Sequence, residues 1–234
     1  MSRPSLLSIR NVSNVYTDRK IGYLGKVEYK YVLDRVNLEM RRGEIFGITG
    51  KNGCGKTTLA RCILGLTDYD GEIILRETSA GKKPEKLSRH VQMVFQDPGA
   101  SLNPVKKIGW LMEEPLHIHK IGALSERTQK VDEMLLRVGL DPSYKTRQVQ
   151  ELSGGQKQRV CIGRALLLEP RLLIADEAIS SLDVSAGAQI LNLFNELHEK
   201  SGLDILFISH NKDAVEYLCD RIAVMEKGRI SDIL

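Results

Sequence analysis

The stretch Gly50-Lys51-Asn52-Gly53-Cys54-Gly55-Lys56-Thr57 decides the fold, because it fits the Walker A (P-loop) spacing G-x-x-x-x-G-K-[ST] in full. In such a loop, glycines let the backbone wrap closely around a polyphosphate, and successive N–H groups point at the anion. We expect Lys56 to reach the β- and γ-phosphates and the Thr57 hydroxyl to ligate Mg²⁺. Residues 44–49 read as a strand and 58–64 as a helix, so the phosphates would lie at a helix N-terminus.

Composition is that of an ordinary globular protein. The chain has 234 residues, of which 42% are hydrophobic and 27% charged, and this suits one or two domains with a sizeable core. No apolar run approaches the roughly 20 residues that span a bilayer, and no signal-peptide pattern follows the N-terminus. The net charge is +4, and the basic residues are spread out rather than clustered, so the charge alone is weak evidence for nucleic-acid binding. We therefore expect a cytosolic protein that reaches a membrane only through a partner.

Hydrophobic periodicity predicts strands alternating with helices, and hence a mainly parallel sheet covered on both faces. Strands are predicted at 6–15, 32–40, 44–49, 71–75, 91–95, 171–175, 204–209 and 221–226, and a long hairpin loop at 18–30. Helical spacing occurs at 108–116, 126–138, 156–168, 184–200 and 212–219. The prediction is one α/β domain over residues 1–234. Its catalytic core and N-terminal antiparallel β subdomain comprise 1–96 and 169–234, and a helical subdomain is inserted at 97–168.

A second decisive segment ends the apolar strand Leu172-Leu173-Ile174-Ala175 with two carboxylates, Asp176 and Glu177. Acids at the C-terminal end of a strand lie at the edge where α/β sheets bind ligands. This Walker B pattern predicts that Asp176 helps to hold Mg²⁺ and that Glu177 polarises the attacking water as general base. Taken alone, the two carboxylates could equally be surface residues without a function. That alternative is implausible in a chain that also contains an intact P-loop.

A third segment, Leu152-Ser153-Gly154-Gly155-Gln156, directly precedes an amphipathic helix. Ser153 can cap that helix, and two glycines clear side chains from the approach to its N–H groups. The segment is therefore a second candidate anion site at a helix N-terminus. Because one P-loop already holds the phosphates, the economical interpretation is that this site binds the nucleotide of another copy.

Along the chain the motifs occur in the order P-loop, Gln96, LSGGQ, Walker B acids, Ser180-Ser181-Leu182-Asp183 and His210. This order resembles that of the nucleotide-binding domain of ATP-binding cassette (ABC) proteins, a P-loop NTPase fold. LSGGQ is the signature of that family, and the resemblance runs from about Leu6 to Ile230. It implies ATPase activity with ATP and Mg²⁺, and a dimer that sandwiches two ATP molecules.

The resemblance assigns roles at matching positions. Gln96 resembles the glutamine that contacts Mg²⁺ and the attacking water, and His210 resembles the switch histidine that contacts the γ-phosphate. Tyr16 resembles the aromatic residue that stacks on adenine, with Tyr29 and Tyr31 as rivals. The remaining nucleotide contacts would come from both faces of the dimer: Gly50, Asn52, Gly53, Gly55, Lys56, Thr57, Thr58, Ser153, Gly154, Gly155, Gln156 and Asp183. Metal contacts would come from Thr57, Gln96 and Asp176.

One departure is that Ala178-Ile179 replace the usual Pro-Thr after the Walker B glutamate. The proline normally restricts the backbone there. All the chemical groups remain, so we expect activity to survive.

The segment 96–104, Gln-Asp-Pro-Gly-Ala-Ser-Leu-Asn-Pro, resembles the oligopeptide, dipeptide and nickel importer ATPases, as do Glu114-Pro115-Leu116 and Asp183-Val184-Ser185. Few residues follow Gly228, and in this shortness the sequence is most like the smaller ATPase of nickel importers. The resemblance implies transmembrane permease subunits as partners and a second ATP-binding subunit, identical or different. It also implies a periplasmic or lipoprotein substrate-binding protein and a location at the cytoplasmic face of the membrane, without nucleic acid.

The cargo would be nickel, another metal chelate or a small peptide. Two alternatives are a soluble ABC ATPase acting on DNA or the ribosome and a nucleotide-binding regulator without turnover. The intact Glu177 and His210 argue against the regulator.

Overall fold

The computed structural model describes residues 4–18, 28–76 and 87–234, with backbone alone at 16–18, 28–30 and 87–88. The chain forms two compact units, one from residues 1–84 and 206–234 and the other from residues 85–205. Each unit carries part of the predicted α/β pattern.

The first unit begins with an antiparallel sheet of strand order β2-β1-β4, formed by β1 (Ser5–Asp18), β2 (Glu28–Arg41) and β4 (Asp70–Leu75). Val12 of β1 pairs with Val36 of β2, and both are buried. Residues 5–9 of β1 are all buried, so both faces of the strand are covered there, and the strand becomes exposed only at Arg10 and Asn11.

The rest of the first unit consists of a second group of paired strands and two helices. Strand β3 (Ile45–Thr49) pairs in parallel with β8 (Arg221–Glu226), and β9 (Arg229–Ile233) adds an antiparallel edge. Helix α1 (Lys56–Ile63) follows β3, and α8 (Lys212–Leu218) packs against β3. That packing is close, because a Cβ on Gly47 would lie 2.8 Å from the Val215 side chain. Strand β7 (Asp204–Ile208) has residues 204–205 in the second unit and residues 206–208 in the first.

The second unit is mainly helical. Strands β5 (Val91–Val94) and β6 (Leu172–Asp176) pair in parallel. The helices are α2 (Leu87–His90), α3 (Pro98–Ser101), α4 (Ile108–Ile118), α5 (Leu124–Arg137), α6 (Gly154–Leu166) and α7 (Val184–Ser201). Short 3₁₀ helices occupy Pro142–Thr146 and Val149–Glu151. Helix α6 packs against α3, α4, α5, α7 and β5, so the helix after the LSGGQ sequence is the centre of this unit.

The structure confirms the predicted fold class, an antiparallel N-terminal sheet beside parallel-rich strands and helices. The predicted helical block at 97–168 lies within the second unit. Three details differ: β1 and β2 extend into the predicted loop, α2, α3 and the 3₁₀ helices were not predicted, and β9 was missed. The predicted connection at 77–84 lies outside the described residues. Among the helices that the structure describes, none is long and apolar enough to cross a membrane.

Candidate functional site

The P-loop of the first unit requires glycine at two positions. Gly50 has φ +155°, and a Cβ there would lie 2.2 Å from the carbonyl oxygen of Met225. Gly55 has φ +113°, and its Cβ would lie 2.8 Å from the carbonyl oxygen of Val32. Strands β8 and β2 thus approach the loop from behind at distances that only glycine tolerates. The backbone is held in a fixed curve, as a phosphate cradle requires.

Lys56 lies inside this curve. Its Nζ donates hydrogen bonds to the carbonyl oxygens of Gly50 at 2.7 Å and Lys51 at 3.3 Å, and the residue is 6% exposed. These bonds hold the ammonium group across the loop. Thr57 and Thr58 are half-buried in the first turn of α1, and Asn52 and Gly53 are exposed. The arrangement presents a cation, hydroxyls and backbone N–H groups together, which is the chemistry that binds a polyphosphate.

His210 belongs to the same unit. It follows Ser209, whose N–H donates to the Ile48 carbonyl of β3 at 3.1 Å. It precedes Asn211, whose side chain caps α8 by accepting from the N–H of Ala214. Because β3 leads directly into the P-loop, this bond places the backbone before His210 next to the strand that carries the cradle. The structure therefore brings this predicted residue and the P-loop to neighbouring strand ends.

The two Walker B carboxylates lie in the second unit, at the end of β6. Asp176 is 3% exposed and Glu177 is 7% exposed. Glu177 adopts φ +52°, which is uncommon for a residue with a side chain and costs roughly 1–3 kcal/mol. The turn is fixed by Ser180, whose Oγ donates to the Glu177 carbonyl at 2.9 Å. A strained, buried carboxylate at a strand end is typical of a functional site rather than a surface turn.

Gln96 emerges at the same edge of the second unit. Its strand, β5, runs parallel to β6 with Val94 paired to Ala175, so residues 96 and 176 follow neighbouring strand ends. Gln96 is exposed, and its carbonyl accepts a hydrogen bond from Ser181 Oγ at 3.5 Å. Three of the predicted site residues, Gln96, Asp176 and Glu177, are therefore brought to one edge.

The signature segment begins α6 as predicted. Ser153 Oγ accepts from the N–H of Gln156, and Gln156 Oε1 accepts from the N–H of Ser153 at 3.0 Å, which makes a capping box. Gly154 and Gly155 pack closely, because Cβ atoms there would lie 3.3 Å from the Leu182 side chain and 3.2 Å from the Ala186 side chain. The first turn of α6 thus touches the start of α7.

Sequence reasoning missed the support behind this turn. Gln156 Nε2 donates to the hydroxyl of Tyr144 at 3.0 Å, and the Arg147 guanidinium lies 3.8 Å from the centre of the Tyr144 ring. Tyr144 belongs to the 3₁₀ helix Pro142–Thr146 and Arg147 directly follows it, and this stretch contains no motif. The only signal was the Asp-Pro start of that segment at Asp141, where the carboxylate accepts from the Ser143 N–H.

Asp183 caps α7. Its carboxylate accepts from the N–H of Ala186 at 2.8 Å, and the neighbouring Val184 is 91% exposed.

Tyr16, the residue predicted to stack on adenine, and its rivals Tyr29 and Tyr31 lie on the β1–β2 ribbon. Tyr16 lies in β1 opposite Lys30, and its side chain lies outside the described residues, as does that of Tyr29 opposite Thr17. Tyr31, the other rival, is 59% exposed and pairs with Val15. The three tyrosines therefore occupy one end of the β1–β2 ribbon.

The described residues hold no group of three or more His, Cys, Asp or Glu that could bind a metal ion. A site for Mg²⁺ does not need one, because this ion usually takes one or two protein ligands together with substrate phosphates and water. Thr57 of the first unit offers a hydroxyl oxygen and Asp176 of the second unit offers carboxylate oxygens, and each is a kind of ligand that this ion prefers. These oxygen ligands would fit Mg²⁺ bound together with a nucleotide.

Comparisons with known proteins agree with this set of motifs. A family model described as ABC transporter matches residues 33–180. The oligopeptide transport ATP-binding protein AppF of Bacillus subtilis (strain 168) is 40% identical, covering 99% of this chain and 72% of AppF. The glutathione import ATP-binding protein GsiA of Pectobacterium atrosepticum is 41% identical, covering 96% of this chain and 37% of GsiA. The dimeric, post-hydrolysis structure of the ATP-binding cassette MJ0796 with ADP and Pi has a TM-score of 0.82 at 27% identity, covering 97% of both chains.

Proposed function

This chain is an ATPase that belongs to the ABC transporter family, and from that premise we propose that it powers an importer of small peptides through partner membrane subunits. The observation that carries the proposal is the P-loop itself, where Lys56 is held across a curve that only Gly50 and Gly55 allow. Asp176 and Glu177 add the carboxylates that hydrolysis needs.

Each residue then has a chemical task. The P-loop N–H groups and Lys56 bind the phosphates, and Thr57, Asp176 and Gln96 would hold Mg²⁺, which would neutralise phosphate charge. Glu177 accepts the proton of the attacking water, a contribution of typically about 10²–10⁴ in rate. His210 contacts the γ-phosphate. Tyr16 stacks on the adenine.

A second copy, or a similar ATPase, completes the site. Ser153 and Gly154 are exposed at the N-terminus of α6, and Asp183 and Val184 are exposed beside them. A helix N-terminus favours the negative charge of a phosphate. The dimeric state of MJ0796 supports the inference that this face, with Gly155 and Gln156, closes over ATP bound to the opposite protomer.

The membrane partner binds the second unit. A groove of about 490 Å³ lies between β5, α3, α4 and α6, and apolar side chains such as Phe95, Pro115 and Ile118 line it. At the groove, Arg164 forms an ion pair with Glu114. Phe95 is 42% exposed and Ile118 is 66% exposed, so the groove presents apolar surface that a helical segment of a permease could cover. This contact would hold the chain at the cytoplasmic face of the membrane.

The choice of cargo rests on the relatives. AppF is named for oligopeptide transport and GsiA for glutathione import, which favours a small peptide over nickel. These names also favour transport over the DNA or ribosome alternative. The nickel prediction gains no support from the relatives described above.

The test is uptake by cells in which the natural chain is replaced by Lys56→Ala, which removes the phosphate-binding ammonium group. Labelled oligopeptides and ⁶³Ni²⁺ are supplied in parallel, and tagged chain is purified from detergent-solubilised membranes. We expect peptide uptake to be lost, nickel uptake to be unchanged and two polytopic membrane proteins to co-purify. Loss of nickel uptake alone would overturn the cargo, and recovery of ribosomal or DNA-associated partners alone would overturn transport.

A further inference from the structure

Gln158 is a fully buried amide in the centre of the second unit. Its side chain is 0% exposed, yet among the described residues neither Oε1 nor Nε2 has a hydrogen-bond partner. Burying an amide without partners is destabilising, and native proteins rarely keep such a group without a reason. An apolar side chain of similar size would fill the same space at no such cost.

The position of Gln158 on α6 shows what surrounds it. Residues three and four apart share a face of a helix, so Gln158 lies between Gly154 and Gly155 on one side and Cys161 on the other. The two glycines face Leu182 and Ala186, and Cys161 Sγ lies 3.9 Å from the carbonyl oxygen of Pro98. One end of this face therefore meets the segment 182–186, and the other meets the start of α3.

These two segments also meet each other. Ser181 Oγ donates to the carbonyl of Gln96 at 3.5 Å, a long and weak bond. Gln96 and Asp183 both belong to the proposed catalytic machinery. Gln158 thus lies one helical turn behind the signature glycines, next to the junction of both loops.

We propose that Gln158 is a positioning residue whose amide hydrogen-bonds the backbone of the segments 96–98 and 181–183 when these rearrange around ATP. An amide can donate and accept at once, so one side chain can hold two loops together. The inference rests on the proposed ATPase mechanism, because it gives the loops a reason to move. The resting fold bears an unsatisfied amide, and the ATP-bound fold gains its bonds.

The experiment replaces the amide by an apolar side chain of nearly equal length, Gln158→Met, in the full chain. The matched control is Gln129→Met, which changes an exposed glutamine on α5 that bonds Glu133. Removing an unsatisfied buried group should raise the unfolding midpoint of Gln158→Met by about 2–6 °C. Its kcat should fall about tenfold, since one transition-state hydrogen bond is lost, with KM for ATP within about twofold. The control should change none of these.

A second measurement does not depend on turnover. Hydrogen exchange of residues 96–101 and 180–186 should slow on addition of MgATP in the wild type, and it should slow less in Gln158→Met. Unchanged kcat, or equal protection by ATP in both proteins, would overturn the proposal. Loss of stability in both Gln158→Met and Gln158→Leu would also overturn it, because the amide would then stabilise the resting fold. A wild-type chain without turnover would contradict the proposed function instead, and the exchange data would still decide the role of Gln158.

Discussion

Replacing Gly50 by alanine tests the close approach of β8 to the P-loop. The new Cβ would lie 2.2 Å from the carbonyl oxygen of Met225, well inside any contact that real Cβ atoms make, and φ is +155°. A positive φ costs an alanine roughly 1–2 kcal/mol, and overpacking adds about 1–3 kcal/mol. The sum is about 2–5 kcal/mol of the unfolding free energy. In a chain of this size each kcal/mol shifts the midpoint by about 2–4 °C.

The matched control is Gly53→Ala in the same loop. Gly53 has φ +77° but nothing within 4 Å of a Cβ, so this variant bears the backbone cost alone, roughly 1–2 kcal/mol. Urea unfolding followed by circular dichroism measures both variants. We expect Gly50→Ala to be clearly the less stable, and to bind ATP more weakly because the Gly50 carbonyl that holds Lys56 must move. Equal unfolding free energies for the two variants would refute the close approach.

Three further predictions test separate parts of the account. Ser153→Ala removes the cap of α6 and should lower the unfolding free energy by about 1 kcal/mol, while Ser153→Asp should retain most of it; a larger loss in Asp would contradict the cap. Ile118→Asp puts a charge in the exposed apolar groove, so permease co-purification should be lost and ATP affinity kept, and undiminished co-purification would exclude this surface. Burial raises the pKa of the Cys161 thiol from 9.0 to about 12, so its contribution to the unfolding free energy should be constant below pH 9 and fall as pH rises towards 12. Unfolding of wild type and Cys161→Ala at pH 7.5 and 10.5 measures that loss as a difference, and equal pH dependence would refute it.

Much of the fold could be predicted because its signals are local. The P-loop spacing fixes a strand, a turn and a helix within a few residues, and Leu172–Ala175 is apolar enough to be only a buried strand. The sequence predicts Ser153 as the cap of α6, and the structure contains that cap and adds Gln156 as its partner in a capping box. In each case the residues that determine the local structure are neighbours in the sequence.

Other features depend on contacts between residues that are distant in the sequence, and no local pattern predicts such contacts. Strand β9 was missed because Arg229, Ser231 and Asp232 look like a polar tail, although the strand pairs with β8 as a sheet edge. The sequence predicts a loop at 18–30 because this segment is polar and contains two glycines, yet Asp18 of β1 pairs with Glu28 of β2. The burial of Gln158 arises only when five elements pack around α6.

The most direct test of the account is ATP hydrolysis by the purified wild-type chain and by Glu177→Gln, with binding of ATP measured in parallel. This substitution keeps the shape of the side chain and removes the proton acceptor. We predict Mg²⁺-dependent turnover by the wild type and a rate at least about 100-fold lower in the variant, with ATP affinity retained. Hydrolysis by Glu177→Gln at the wild-type rate would contradict the assignment of Glu177 and the mechanism built on it.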